Sequence, residues 1–181
     1  MSNVLISNSS SANMPAMESD IRVRTLDSSD SQWALDIWKK MWKTDHVVTL
    51  GKLYYFRDLH GFIAECNSQR VGLLTYDVRN KELEIITLDS IMENVGIGTA
   101  LIERALEEAR KRKCERVLLI TTNDNTDALR FYQRKGFSIH SINVGAIEES
   151  RKLKPSIPHV GNDGIPIRDE ILLEYIIGNK E

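Results

Sequence analysis

Cysteine is scarce in this 181-residue chain. Cys66 and Cys114 lie far apart, with no Cys or His beside either at metal-ligand spacing, so no metal site is expected and a reducing compartment fits. A surplus of one charge is also missing. Lys and Arg number 24 against 26 Asp and Glu, and the formal net charge of -2 gives no bulk attraction to phosphate backbones or anionic lipid. Nucleic acid and membrane are therefore not expected partners. No apolar run approaches the roughly 20 residues that a membrane-spanning helix needs. The apolar stretch 4–6 is too short for a signal-peptide core and lacks a basic leader, so a cytoplasmic location is expected. What remains is an ordinary globular balance, 41% hydrophobic and 28% charged, in a length that suits one medium domain with one site.

Residues 1–20, rich in Ser and Asn, read as a flexible extension, and 21–181 as a single domain. Ile21 and Val23 alternate with Arg22 and Arg24, the period of a half-buried strand. Asp30 or Ser31 is positioned to cap a helix whose Trp33, Ile37 and Met41, joined by Leu35 and Trp38, form one apolar stripe. Core packing is the plainer reading of these tryptophans; an aromatic substrate site is the sharper one. Residues 62–66, 71–78 and 82–88 read as an antiparallel meander. Helical spacing runs from Gly96 to Arg112, with a basic last turn where the helix dipole favours cations. A short β-rich run at 117–121 precedes a second helix, 125–135, which Gly136 stops at the position of a left-handed C-cap. Residues 137–144 and 171–177 read as the last strands. Between them lies a long connection, 145–169, with a short helix at 146–153 and then Pro155, Pro158, Gly161, Gly164 and Pro166. The whole reads as an α+β fold: a mixed, mostly antiparallel twisted sheet with one strand-helix-strand crossover.

Chemistry concentrates where the third meander strand meets the long helix. Gly96 and Gly98 open that helix directly after a strand, so the amides of Val95 to Thr99 can point outward, unobstructed, at the positive end of the dipole. Such a terminus suits a phosphate or pyrophosphate. A tight turn with close helix packing is the bland alternative. A Walker loop is excluded for want of a Gly-Lys-Ser/Thr ending, and the dinucleotide fingerprint because Leu101 stands where its third glycine belongs. The second helix adds Asn125, Ala128 and Tyr132, three to four residues apart on one face.

Joined together, these segments resemble the GNAT (GCN5-related) N-acetyltransferase family. Gly96 and Gly98 match the Gly-x-Gly of its acyl-CoA pyrophosphate loop. Asn125, Ala128, Tyr132, Gly136 and Phe137 match its Asn-x-x-Ala-x-x-x-Tyr-x-x-x-Gly-Phe segment. The likeness runs from about Ile21 to the C-terminus and is strongest from Leu83 to Phe137. One departure is Glu93, where the family usually has Gln or Arg. A carboxylate beside a pyrophosphate is unfavourable unless it faces solvent or pairs with a cation.

The resemblance implies a sheet splayed at an acyl-CoA cleft, with acetyl-CoA as cosubstrate and no metal. Main-chain groups near Thr87 and Leu88 would face the pantetheine arm. Val95, Gly96, Ile97, Gly98 and Thr99 would cradle the pyrophosphate, and Asn125 would touch the pantetheine. Tyr132 holds the family position of the acid that protonates the departing thiolate, and direct transfer in a ternary complex is implied. A packed ring with its hydroxyl bonded to backbone is the alternative for Tyr132.

The base is less defined. By strict alternation Glu82, Glu84, Ile86 and Leu88 share one strand face and Leu83, Ile85 and Thr87 the other. If the first face meets the cleft, Glu84 can accept a proton through water; a solvated surface carboxylate is the alternative. His46, His60, His140 and His159 show no paired spacing and read as surface or structural residues, and Cys114 as a core thiol. The acceptor is expected to be an amine, on a small molecule or a protein, in a pocket walled by Tyr54, Tyr55 and the stretch 156–166; a homodimer stays open. An acyl-CoA-binding regulatory module without turnover is the other reading of the same cleft.

Overall fold

The computed structural model describes residues 21–92 and 95–178, so the extension expected at 1–20 and the departure at Glu93 lie outside the described residues. The strands are β1 (Ile21–Thr25), β2 (His46–Thr49), β3 (Lys52–Tyr55), β4 (His60–Cys66), β5 (Gln69–Arg79), β6 (Glu82–Ser90), β7 (Arg116–Thr122), β8 (Ser138–Asn143) and β9 (Glu170–Ile176). The helices are α1 (Ser31–Trp42), α2 (Ile97–Lys111), α3 (Thr126–Arg134) and α4 (Ala146–Leu153). Seven strands form one sheet in the order β1-β4-β5-β6-β7-β9-β8, while β2 and β3 form a separate hairpin. Every described pairing is antiparallel except that of β6 with β7. The crossover through α2 imposes that exception, since parallel neighbours need a long connection.

The two faces of the sheet are covered differently. On one, Ile97, Leu101, Ile102 and Ala105 of α2 pack with Leu74, Leu83, Ile85 and Val117 of the sheet, joined by Tyr132 and Phe137. Gly72 sets how closely α2 approaches, because a Cβ there would lie 2.5 Å from Ile97 Cγ2. On the other face, Trp38 and Trp42 of α1 and Val47 and Tyr54 of the hairpin surround Ile86. The tryptophans are thus core, as their helical spacing suggests. The segment after α1, read above only as an aromatic wall, is this hairpin.

Two local expectations are corrected. Asp30 precedes α1 but makes no side-chain cap bond. Its carboxylate instead takes both terminal guanidinium nitrogens of Arg24, at 2.5 and 2.8 Å, and Arg70 at 2.9 Å, and Arg24 holds it down at about 2 against the cost of burial. Second, β6 does not alternate strictly. Its pairing with β5 steps from Thr75↔Thr87 to Tyr76↔Ile85, which leaves Ile86 as the extra residue of a bulge. Ile86 and Thr87 therefore face the same side: Ile86 meets Trp38 and Trp42, and Thr87 Oγ1 lies 2.8 Å from Thr75 Oγ1. Leu88 turns to the α2 face with Leu83 and Ile85, opposite to its expected placement.

The long connection is ordered by one buried cation. Arg151 of α4 donates to the carbonyls of Ile157, Pro158 and Ile167 at 3.3, 2.7 and 2.8 Å, while Ile147, Ile157 and Ile167 form a small core beneath it. Hydrogen bonds from a charged donor are each worth about 1.5–3 kcal/mol. They replace the regular pairing that the Pro/Gly-rich composition denies this segment.

Candidate active site

β6 and β7 pair over four residues, from Glu82↔Arg116 to Ile85↔Leu119, and no pairing between them is formed beyond that point. The bulge at Ile86 sits where they part. From there β6 continues to Ser90 and β7 to Thr122, so a wedge opens inside the sheet.

The α2 N-terminus stands at the wide end of this wedge. Gly96 has φ +89°, a left-handed conformation that side chains resist, and makes no side-chain cap. The first intrahelical bond reaches Ala100, whose amide donates to the Gly96 carbonyl at 3.0 Å, so the amides of Ile97, Gly98 and Thr99 precede the ladder without acceptors in it. Val95 and Gly96 are exposed, Gly98 and Thr99 partly so. Gly98 also serves packing: a Cβ there would lie 3.2 Å from Phe131 Cζ. Close helix contact and a bare N-terminus thus coexist in one motif.

α3 presents the second motif. Asn125 Oδ1 accepts from the Ala128 amide at 3.2 Å, capping the helix, and both residues are buried. The Tyr132 ring is held by the edges of Phe131 and Phe137, with centroids 5.2 and 5.9 Å away. Its hydroxyl forms no hydrogen bond among the described residues, so the backbone-bonded alternative does not describe it. Burial raises the phenol well above its ordinary value, and the nearby Asp89 carboxylate raises it further. The group stays protonated and available as a donor.

Two carboxylates of β6 stand on the α1 side. Glu84 Oε2 accepts from Tyr54 Oη at 2.5 Å, and Tyr54 Oη also receives Lys52 Nζ at 2.6 Å. Burial outweighs these donors and lifts the Glu84 carboxyl above its usual range. Glu84 lies opposite Leu118, within the paired part of β6. Asp89, not among the residues expected at the site, is 1% exposed. The Trp42 indole donates to its Oδ2 at 3.3 Å, whereas its Oδ1 meets no donor among the described residues. Burial pushes this carboxyl up to about 7, against the Trp42 indole and, more weakly, the Thr87 hydroxyl. The available signal was an Asp inside a run of Ile, Thr and Leu, a residue type depleted in strands.

The other expected site residues divide. Tyr54 is buried against Trp42 and Ile86, but Tyr55 alternates to the far side of the hairpin and packs on His46 and Arg57. The stretch 156–166 is fastened to the end of β7: Asp124 Oδ2 accepts from the Asn162 amide at 3.0 Å, and Asn123 donates to the Pro166 carbonyl at 2.9 Å. His46 pairs with Asp45 and His140 with Glu174, while His60 lies on Tyr76. Cys114 is a buried thiol that burial pushes up. Among the described residues no group of His, Cys, Asp or Glu is arranged to hold a metal, and no helix is long and apolar enough to cross a membrane.

A family model described as the acetyltransferase (GNAT) family matches residues 31–137. The uncharacterized protein YdhI of Bacillus subtilis (strain 168) is 43% identical over 143 residues, 78% of this chain and 89% of that one. Among solved structures, a GNAT family acetyltransferase from Elizabethkingia anophelis with acetyl-CoA bound superposes with TM-score 0.68 at 19% identity, over 87% of this chain and 99% of the other. A Bacillus subtilis acetyltransferase in complex with CoA gives TM-score 0.64 at 20% identity, over 88% and 100%. At such identities the structural likeness concerns the fold.

Proposed function

Because the chain belongs to the GNAT acetyltransferase family, we propose that it moves an acetyl group from acetyl-CoA to a primary amine by direct attack in a ternary complex. The observation that carries this reading is the combination, among the described residues, of an α2 N-terminus without a side-chain cap at Gly96, a wedge between β6 and β7, and a buried Tyr132 whose hydroxyl forms no hydrogen bond. The amides of Ile97, Gly98 and Thr99, with Val95 and Gly96, suit a pyrophosphate. The β6 main chain near Thr87 and Leu88, with Asn125 across the wedge, suits an extended arm bearing amides. Acetyl-CoA supplies an activated acyl group at the end of such an arm.

Tyr132 gives its proton to the departing sulfur. Its raised phenol keeps that proton at neutral pH until a thiolate is present to take it. The proton released by the amine goes to a carboxylate on the α1 side of β6, where Glu84 and Asp89 both stand. The hairpin with Tyr54 and the stretch 156–166 wall the acceptor. A cytoplasmic setting, where acetyl-CoA is made and used, suits this reading.

The test is release of free CoA from acetyl-CoA in the presence of a panel of alkylamines, amino sugars and polyamines. Thiol release that depends on one of these amines supports the proposal. A thermal shift with acetyl-CoA but no turnover on any amine replaces it with an acyl-CoA-binding module. No shift at all removes both.

A further inference from the structure

Asp89 is a buried side chain whose chemistry the fold leaves incomplete. One oxygen is held by the Trp42 indole and the other meets no donor among the described residues, although the residue is 1% exposed. A buried acceptor without a partner costs about 1–3 kcal/mol, and more when charged, so it calls for a reason. Its position offers one. Asp89 lies beyond Ile85, the last residue of β6 that pairs with β7, and so belongs to the wedge. It faces Trp42 on the acceptor side, and its charge is felt at Tyr132 from α3.

We infer that Asp89 is the group that takes the proton from the acceptor's ammonium, with the nitrogen docked on Oδ1. This rests on the acetyl-transfer reading above and refines it. An ammonium supplies the donor that Oδ1 lacks. Trp42 occupies Oδ2, which leaves Oδ1 as the oxygen open to the nitrogen. Glu84 is the weaker candidate on geometry, because its carboxylate already receives the Tyr54 hydroxyl and it lies where β6 and β7 are still paired. It shapes the acceptor wall through Tyr54.

The protons balance. Asp89 takes one from the ammonium, freeing the nitrogen lone pair. That pair forms the C–N bond while the C–S bond breaks. Tyr132 gives its proton to sulfur and recovers one from the acylated nitrogen, and Asp89 returns its own to water, so one proton leaves per turnover. A carboxyl pushed up to about 7 is matched to accepting a proton near neutral pH. Burial raises it, against the Trp42 indole from α1 and the Thr87 hydroxyl from β6, and the titratable group that feels its charge is Tyr132 of α3. No charged side chain contributes among the described residues.

The experiment compares pH profiles of kcat/KM for the parent, Asp89→Asn, Trp42→Phe and Glu84→Gln on the best amine of the panel, with acetyl-CoA thermal shifts as the check on folding. For the parent, activity should rise through an ionisation near neutrality. Asp89→Asn should lose about 10²–10⁴-fold and that ionisation with it, leaving only the rise set by the free amine. Trp42→Phe, which removes a donor and keeps the carboxylate, should move the ionisation upward. Glu84→Gln should retain it. An Asp89→Asn profile that keeps the limb, a Trp42→Phe limb that does not move, or a Glu84→Gln profile that loses it overturns the inference while acetyl transfer stands. A parent that turns over no amine overturns both.

Discussion

Glu170 Oε2 accepts from the Leu50 amide at 2.8 Å, across 120 residues of chain. Leu50 sits at the tip of the β2–β3 hairpin with φ 45°, in the left-handed region that a leucine rarely adopts. The second oxygen of the same buried carboxylate accepts from Ser150 Oγ at 3.0 Å. One side chain therefore fastens the strained hairpin tip and α4 to β9. Glu170→Ala should cost about 1–3 kcal/mol in chemical denaturation. It should also raise KM for the acceptor several-fold while leaving acetyl-CoA affinity unchanged. An acceptor KM equal to the parent's would separate the hairpin from substrate binding.

Tyr132→Phe removes a hydroxyl that holds no other group among the described residues, so the fold has little reason to change. Turnover should fall by about 10²–10⁴-fold, the range for a lost general acid, with the acetyl-CoA dissociation constant preserved. Single-turnover kinetics and titration calorimetry read the two quantities separately, and an unchanged kcat removes Tyr132 from the mechanism.

Gly72 lies in β5, away from the wedge, yet it determines where the α2 N-terminus stands. A methyl group there would press within 2.5 Å of Ile97 Cγ2 and 3.0 Å of Leu101 Cδ1. Gly72→Ala should destabilise by about 1–3 kcal/mol, as overpacking does. It should also weaken acetyl-CoA binding, because the Ile97 to Thr99 amides move with the helix. A variant with parental stability and affinity would show that α2 tolerates the shift.

Asp89 makes stability depend on pH. Its folded carboxyl sits at about 7 against an ordinary 3.8, so between these values the folded state binds more protons than the unfolded one. Its contribution is therefore present below about pH 4 and lost as the pH rises through 7. Asp89→Asn, which cannot ionise, should gain on the parent across this window, by about 4 kcal/mol at most. Denaturant midpoints of both proteins at the two ends of the window measure the difference; parallel midpoints would mean that the burial cost is relieved in another way.

Much of this was legible in the chain itself. The spacing of Ile97, Leu101, Ile102 and Ala105 placed α2 and its buried face, and Gly136, with φ +89°, stops α3 as a left-handed cap should. Gly96, Gly98 and Asn125 stand at one end of the sheet because the crossover makes β6 and β7 parallel, so that the helix after each strand starts there. The bulge was not legible: inserting Ile86 turns Leu88 to the other face, and strict alternation carries no mark of it. The hairpin had a signal that went unused, Val47 to Thr49 and Leu53 to Tyr55 around Gly51. Asp89 was missed for a different reason. An Asp within a run of Ile, Thr and Leu marks the position as unusual, but its partner Trp42 lies 47 residues earlier, and no local pattern reports a contact at that distance.

The parting of β6 and β7 also has a consequence for the chain's solubility. Four rungs join the two leaves of the sheet, and beyond them β6 continues to Ser90 without pairing to β7 among the described residues, so its inner margin borders the gap. Such margins recruit extended chains of any origin, and proteins usually blunt them with charge, proline or a covering segment. The acyl-CoA arm proposed for this gap would be such a cover, so on that proposal the cosubstrate would also guard the protein against taking up a stray strand.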